Sequence, residues 1–130
     1  MKAWRIENDD GIDALNLADI DIGEPGPGEV RFRVKASSLN RRDYNTVRAP
    51  GERNTPMPRI PNSDAAGEVV AVGEGVSEFK PGDRVASCFF KRWQGGQMRA
   101  PIMASALGGA EEGMLSDETI LPETGLVPVP

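Results

Sequence analysis

Histidine is absent from this chain of 130 residues. The commonest neutral-pH acid–base group and the commonest metal ligand are therefore missing. Ser–His and Cys–His nucleophilic pairs cannot be built. Cysteine occurs once, at Cys88. No internal disulfide can form, and the usual zinc sets of several cysteines and histidines are excluded. Asp43, Asp64 and Glu68 could hold a hard cation weakly, but nothing in their spacing suggests that they do. Aromatic residues make up 5% of the chain, so a core must rest on Val, Ile, Leu and Ala. No apolar run approaches membrane-spanning length. The first eleven residues are charged and lack the apolar stretch of a secretion signal. A reducing, cytoplasmic setting is the expectation, with Cys88 buried and inert in a strand.

Glycine and proline, by contrast, are plentiful, at 15 and 11 residues. That combination favours short strands joined by turns over a helical bundle. The length suits one domain. "MKAWRIE" alternates as a first strand, and "NDDG" is a turn. In "IDALNLADIDI" the second half reads as a strand. "GEPGPGEV" is a connector that continues neither regular structure. "EVRFRVKASSLN" is the clearest strand, and its alternation ends at Ser37-Ser38. "NRRDYNTVRA" suits a short helix, with Asn40 as N-cap, Asp43 in the first turn and Arg48 near the end. "AAGEVVAVGEGV" reads as a bent or bulged strand. "KPGD" is a tight turn, "RVASCFF" a further strand, and "KRWQGGQMRAPIMASALGGAEEG" an irregular excursion with one helical turn. "MLSDETILPE" and "GLVPVP" close the pattern as two short strands. The sum is a small, mainly β barrel with one short helix. The bare "LVPVP" end has the look of a chain cut from a longer protein.

The net charge is -5, unevenly placed. Residues 1–30 carry two basic and eight acidic side chains, residues 31–59 eight basic and two acidic, and residues 60–130 five basic and ten acidic. Arg31, Arg33 and Lys35 alternate with apolar residues, as on the wet face of a half-buried strand. Arg41, Arg42 and Arg48 read equally as a solvated face or as an anion site for a nucleotide phosphate. Nucleic acid is not expected as a partner. Phe32 and Tyr44 are the only aromatics in the basic stretch, too few for base stacking. Gly73-Glu74-Gly75 begins like a dinucleotide fingerprint but lacks the third glycine and the following helix, so it is read as a turn. From the residues alone the result is a small β barrel with no self-contained active site.

Two stretches carry a family resemblance: "EVRFRVKASSLNRRDYNTVRAPG" and "RIPNSDAAGEVVAVGEGVSEFKPGDRV". Their motifs come in a characteristic order: G-E-V, S-x-N-x-x-D, D-x-A-G-x-V-x-x-V-G-x-x-V, then F-K-x-G-D-R-V. "SALGGAEEGMLSDETILPETGLVPVP" extends the match. The chain resembles the N-terminal GroES-like catalytic domain of medium-chain dehydrogenases/reductases, the alcohol dehydrogenase and quinone oxidoreductase superfamily. The resemblance implies a GroES-like, partly open β-barrel with one or two short helices over residues 1–130. It also implies a Rossmann nucleotide-binding domain that these residues do not contain.

Zinc-binding members carry a cysteine where this chain has Asn40, and Gly-His-Glu where it has Asn62-Ser63-Asp64. Their proton-relay Ser/Thr aligns with Arg42 and a relay histidine with Asn45. The four-cysteine lobe is missing. The resemblance therefore implies the zinc-independent branch. There, hydride passes directly between NADP or NAD and a carbonyl, quinone or alcohol. The parent protein would be the enzyme; the isolated chain is expected to bind no cofactor and to be inactive. Asn40 and Asp43 are the candidate catalytic residues. Asn40 could orient a carboxamide or carbonyl, or simply cap the helix. Asp43 could act as an acid or, the favoured role, hold the helix and nearby backbone. Asn40, Arg41 and Tyr44 would face the cofactor, and Asn45 and Ser63 the substrate. No residue is assigned to metal. The rival expectation is a free-standing GroES-like binding or oligomerisation module, working as a homo-oligomer without enzymatic activity.

Overall fold

The computed structural model describes all 130 residues, Met1–Pro130. Seven strands form two antiparallel sheets. Strands β1 (Lys2–Ile6) and β2 (Leu15–Asp19) pair as a ribbon. The second sheet has the order β6-β3-β4-β5-β7, with β3 (Glu29–Ser38), β4 (Asp64–Val72), β5 (Arg84–Ser87), β6 (Glu118–Pro122) and β7 (Leu126–Pro128). It curls into a partial barrel. Helix α1 (Arg41–Arg48) follows β3, and the single-turn α2 (Ala100–Met103) lies in the long excursion between β5 and β6. No helix is long and apolar enough to cross a membrane.

The alternation in β3 decides the core. Val30 and Phe32 are fully buried, while Arg33 and Lys35 face water. Val69, Val85, Leu107, Met114, Leu121 and Leu126 close around them. Arg31 and Arg33 on the outer face both pair with Glu118 of β6, at 3.5 and 3.1 Å. The basic stretch therefore spends part of its charge on neighbouring acids. Lys35, Arg41, Arg48 and Arg53 make no ion pair.

The β3–β4 register slips twice. Val70 is the extra residue on β4 and Lys35 the extra residue on β3, so each strand carries one bulge. Gly67 lies between the slips. A Cβ there would come 2.0 Å from the Arg33 carbonyl oxygen, so the close approach of the two strands needs glycine. Gly73 has a packing role too: a Cβ would come 1.8 Å from the Gly26 carbonyl oxygen. The start of the Gly73–Gly75 turn is thus pressed against the Gly/Pro connector.

Two expectations shift. β2 spans Leu15–Asp19 rather than the second half of its segment, because Gly11–Ala14 forms a 3-10 turn that starts the strand early. The strand after the KPGD turn ends at Ser87, before Cys88-Phe89-Phe90. Cys88 is consequently only half-buried, although its N–H still donates to the Gly125 carbonyl at 2.8 Å.

Phe32→Ala should cost about 3–5 kcal/mol in urea unfolding, as expected for a buried aromatic lost from a packed core. Leu39→Ala, at a site 80% exposed, should stay within about 0.5 kcal/mol. Burial pushes the Cys88 thiol pKa up. The neutral thiol is thus favoured by folding. The resulting stability is fully present below the unfolded thiol value and lost as pH rises through the folded one. Urea midpoints of the wild type relative to Cys88→Ser should therefore decline on the alkaline side only.

Candidate functional site

Only Leu39 and Asn40 separate β3 from α1. Asn40 has an extended backbone, which lets the helix start at Arg41. Asp43 reaches back, and its Oδ2 accepts the Asn40 N–H at 2.9 Å. Asp43 is 2% exposed. Its Oδ1 makes no hydrogen bond and faces Arg42 Nη1 at 3.6 Å. A buried carboxylate so placed closes the first turn of α1 on its own cap, Asn40, in a capping box.

Arg42 is anchored in the other direction. Its Nη1 donates to the Leu107 carbonyl at 2.8 Å, and its guanidinium lies 4.8 Å over the Phe89 ring. Gly109 leaves it space: a Cβ there would come 2.6 Å from Arg42 Nη2. Burial lowers the Arg42 pKa and the Asp43 charge opposes that shift, and the group stays a cation.

The opposite wall is the run Pro61-Asn62-Ser63-Asp64, leading into β4. Asn62 sits at φ 69°, in the left-handed region that asparagine tolerates better than most residues. Its backbone is pressed by two glycines. A Cβ on Gly108 would lie 2.6 Å from the Asn62 carbonyl carbon, and one on Gly113 would lie 2.1 Å from the Pro61 carbonyl oxygen. Met114 N–H donates to both the Pro61 and Asn62 carbonyls at 2.9 Å. From below, Asn62 Nδ2 donates to Ser37 Oγ at 3.0 Å. Ser37 Oγ donates in turn to the Asp64 carbonyl at 2.9 Å, and Ser87 Oγ to the Ser63 carbonyl at 3.2 Å. The segment is fixed on every side.

Across the gap, Asn40 Nδ2 donates to Asp64 Oδ2 and lies 3.5 Å from Ser63 Oγ. Ser63 Oγ donates to Asp64 Oδ2 at 2.7 Å. Asn40, Ser63 and Asp64 thus form a hydrogen-bonded triangle joining the start of α1 to the start of β4. Ser63 is fully buried, and its hydroxyl proton is committed to Asp64. Next to the triangle is an apolar groove of about 190 Å3, with Ile12, Leu39, Tyr44, Val47 and Leu115 in its walls. Leu39 and Tyr44 stand exposed at its mouth, at 80% and 53%. On the Asp64 side is an open hollow of about 350 Å3 lined by small residues, among them Ala36, Ser38, Ala66 and Ala86.

The structure brings Asn40, Asp43, Tyr44 and Ser63 to one place. Arg41 is exposed on the first turn with no side-chain hydrogen bond. Asn45 is half-exposed on α1 and is not part of the groove lining. Sequence reasoning passed over Ser37 and Ser87, which hold the wall, and the anchoring of Arg42 by Leu107. The break in alternation at Ser37-Ser38 was the one signal for the first. The others depend on residues more than 20 positions away.

The family model described as alcohol dehydrogenase GroES-like domain matches residues 26–130. A zinc-type alcohol dehydrogenase-like protein of Schizosaccharomyces pombe is 35% identical over 121 residues, covering 92% of this chain and 35% of that protein. The crystal structure of an NAD-dependent alcohol dehydrogenase superposes with a TM-score of 0.82 at 32% identity, over 100% of this chain and 40% of that one. A quinone oxidoreductase of Pseudomonas syringae pv. Tomato DC3000 superposes with a TM-score of 0.73 at 30% identity, over 99% of this chain and 33% of that one. The chain therefore spans a third to two fifths of the length of these proteins.

Asp43→Ala removes the acceptor for the Asn40 N–H and the partner of a half-buried Arg42. It should cost about 2 kcal/mol in urea unfolding. Asp43→Asn, which keeps an acceptor of the same shape, should cost less.

Proposed function

The chain belongs to the alcohol dehydrogenase GroES-like domain family, and we propose that it is the N-terminal catalytic domain of a zinc-independent, NAD(P)(H)-dependent oxidoreductase. Its reaction would be hydride transfer between nicotinamide and a carbonyl, quinone or alcohol. The Asn40–Ser63–Asp64 triangle carries this reading. It occupies the positions where the zinc-binding members have cysteine, histidine and glutamate, and it joins them by hydrogen bonds instead.

The donor set does not fit zinc. A catalytic zinc takes three strong protein ligands, from cysteine, histidine or carboxylate. Only Asp64 of the triangle is one of these, and its Oδ2 already accepts from the other two. No group of three or more His, Cys, Asp or Glu side chains in the structure could hold a metal ion.

The groove and its rim fit the reactive end of a dinucleotide, not the whole. Arg41 offers a free guanidinium for a phosphate. The phosphate-cradling glycine loop is lacking here and is assigned to a Rossmann domain in the remaining length of the parent. Nicotinamide, NADP or NAD, would supply or accept the hydride. The residues of this chain then bind and orient. Leu39 and Tyr44 wrap an apolar ligand and exclude water. Asn40 meets its polar atom, and Asp43 keeps Asn40 in place through the helix turn. Asn45 lies further along the helix, toward substrate entry. Ser63 acts on substrate only through Asp64. Rate enhancement would come from holding the two reactants in register. We assign the parent to the cytoplasm.

One observation favours a second reading. Ile12, Leu39 and Tyr44 crowd exposed apolar surface, between 52% and 80% accessible, around a single groove. A free-standing module would cover that face with a second copy.

Three measurements test the proposal. Chain purified from zinc-supplemented medium should hold far less than one zinc per chain; stoichiometric zinc overturns the zinc-free assignment. The chain alone, given NADPH and a quinone, should give no turnover above background; turnover at enzyme rates overturns the assignment to a partial catalytic unit. Sedimentation should show a monomer, whereas a monodisperse dimer or ring supports the module.

A further inference from the structure

We infer that the outer edge of β6 is a docking site for one added peptide strand, a short apolar tail that ends in a free carboxylate. The slot involved shares no residue with the groove beside α1, so the inference stands apart from the redox reading.

β6 is an edge strand: β3 covers one side, and no strand of its sheet covers the other. The ladder decides which groups stay free. The Val34 N–H donates to the Asp117 carbonyl and the Glu123 N–H to the Gly28 carbonyl, both at 2.9 Å. With no slip in the β3–β6 register, the residues bonded to β3 are the odd-numbered ones. Glu118 and Ile120 therefore turn their main-chain groups outward. The Glu118 carbonyl accepts from Ser116 Oγ at 2.9 Å, while the Ile120 N–H and carbonyl have no partner. β1 reaches the chain only just before β6, where the Asp117 N–H donates to the Lys2 carbonyl at 2.9 Å. Beyond that bond the edge is open, and an open edge is a template for a further strand.

Beside this edge is a slot of about 370 Å3. Two consecutive runs of chain line it, Ile20–Ile22 and Glu118–Ile120, together with Arg5, Ile60 and Glu112. Four isoleucines make its walls apolar. Its acids are already engaged. Glu118 pairs with Arg31 and Arg33 at 3.5 and 3.1 Å. Glu112 accepts the Ile60 N–H at 2.8 Å and faces Arg59 at 3.4 Å. Asp21 Oδ1 accepts the Gly23 N–H at 2.8 Å. Arg5 is the exception: its side chain makes no hydrogen bond, and its one ion pair, to Glu7, is 3.7 Å long. The slot thus combines an open edge, apolar walls and an unspent cation. A peptide tail meets all three, with its main chain on Ile120, its side chains among the isoleucines and its terminal carboxylate on Arg5. Pro122 has no N–H and ends the edge. Pairing is confined to Glu118–Ile120, so at about 3.3 Å per residue a strand of about three residues is enough.

The test follows the backbone amides of the isotope-labelled chain by NMR. In the free chain the Ile120 N–H should exchange with solvent on the order of tenfold faster than the Thr119 N–H, which bonds to β3. Equal protection overturns the open edge, whether a second copy or the chain itself covers it. The probes are acetyl-Val-Ala-Val with a free carboxylate, the same peptide as its C-terminal amide, and an analogue methylated at every amide nitrogen. The acid should shift the Glu118 and Ile120 signals, slow Ile120 exchange and bind about threefold to tenfold more tightly than the amide, the worth of one net hydrogen bond. The methylated analogue should not bind. No shift with the acid, or equal binding of the methylated analogue, overturns strand addition. Equal binding of acid and amide overturns the carboxylate-ended tail. In Arg5→Gln, with its fold confirmed by the spectrum, the acid should fall to the level of the amide, and a retained preference overturns the role of Arg5. The exchange rates and the wild-type comparison decide the matter even if that variant fails to fold.

Discussion

Everything at the candidate site depends on where the backbone of residues 61–63 is allowed to lie. Gly108 and Gly113 bring the excursion between β5 and β6 so close to that segment that a single added carbon would overlap it. The Met114 N–H completes the contact. Pinned from above by glycine and from below by Ser37 and Ser87, the segment presents Ser63 and Asp64 at a fixed distance from α1. The long excursion, which has little regular structure, is thereby the part that builds one wall of the site.

The opposing wall is set by electrostatics. Asp43 and Arg42 are adjacent on α1, and Arg42 Nη1 lies 3.6 Å from Asp43 Oδ1. Asp43 is buried beneath the first turn, while Arg42 reaches the Leu107 carbonyl and the Phe89 ring. A buried carboxylate and a partly desolvated guanidinium are costly alone and tolerable together. Their arrangement ties α1 to the same excursion that pins residues 61–63. Asn40 and Asp64 meet across that gap by a direct hydrogen bond.

Much of this was readable from the residues in order. Alternation gave β3 and its inward Val30 and Phe32. Local chemistry gave α1 and its cap, and the Pro-Gly centre of KPGD gave its turn, with Gly82 at φ 91°. The two closing strands and the single helical turn of the excursion also stand where pattern put them. β2 and the end of β5 lie elsewhere than the pattern put them. The 3-10 turn at Gly11–Ala14 sets the first boundary, and in the second the pairing of β5 with β7 runs on only through the bond from the Cys88 N–H to the Gly125 carbonyl. The candidate site was readable where its members lie close in sequence, as with Asn40 and Asp43. It was not readable at Ser37, Ser87 or Leu107, whose roles come from pairing across the barrel.

The sequence by itself determined the chemistry on offer. A chain without histidine and with one cysteine offers amides, hydroxyls, carboxylates and guanidinium groups. It also determined that the chain would be strands and turns, since period-two alternation and glycine spacing are local properties. Only the tertiary structure decided how those groups are used. It buried Ser63, turned the Asn40 amide toward Asp64, and gave Gly67, Gly73, Gly108 and Gly113 their meaning as points of close approach. The physical reason is that a hydrogen bond has a direction and a partner. Residue order along the chain carries neither for residues 20 or more positions apart.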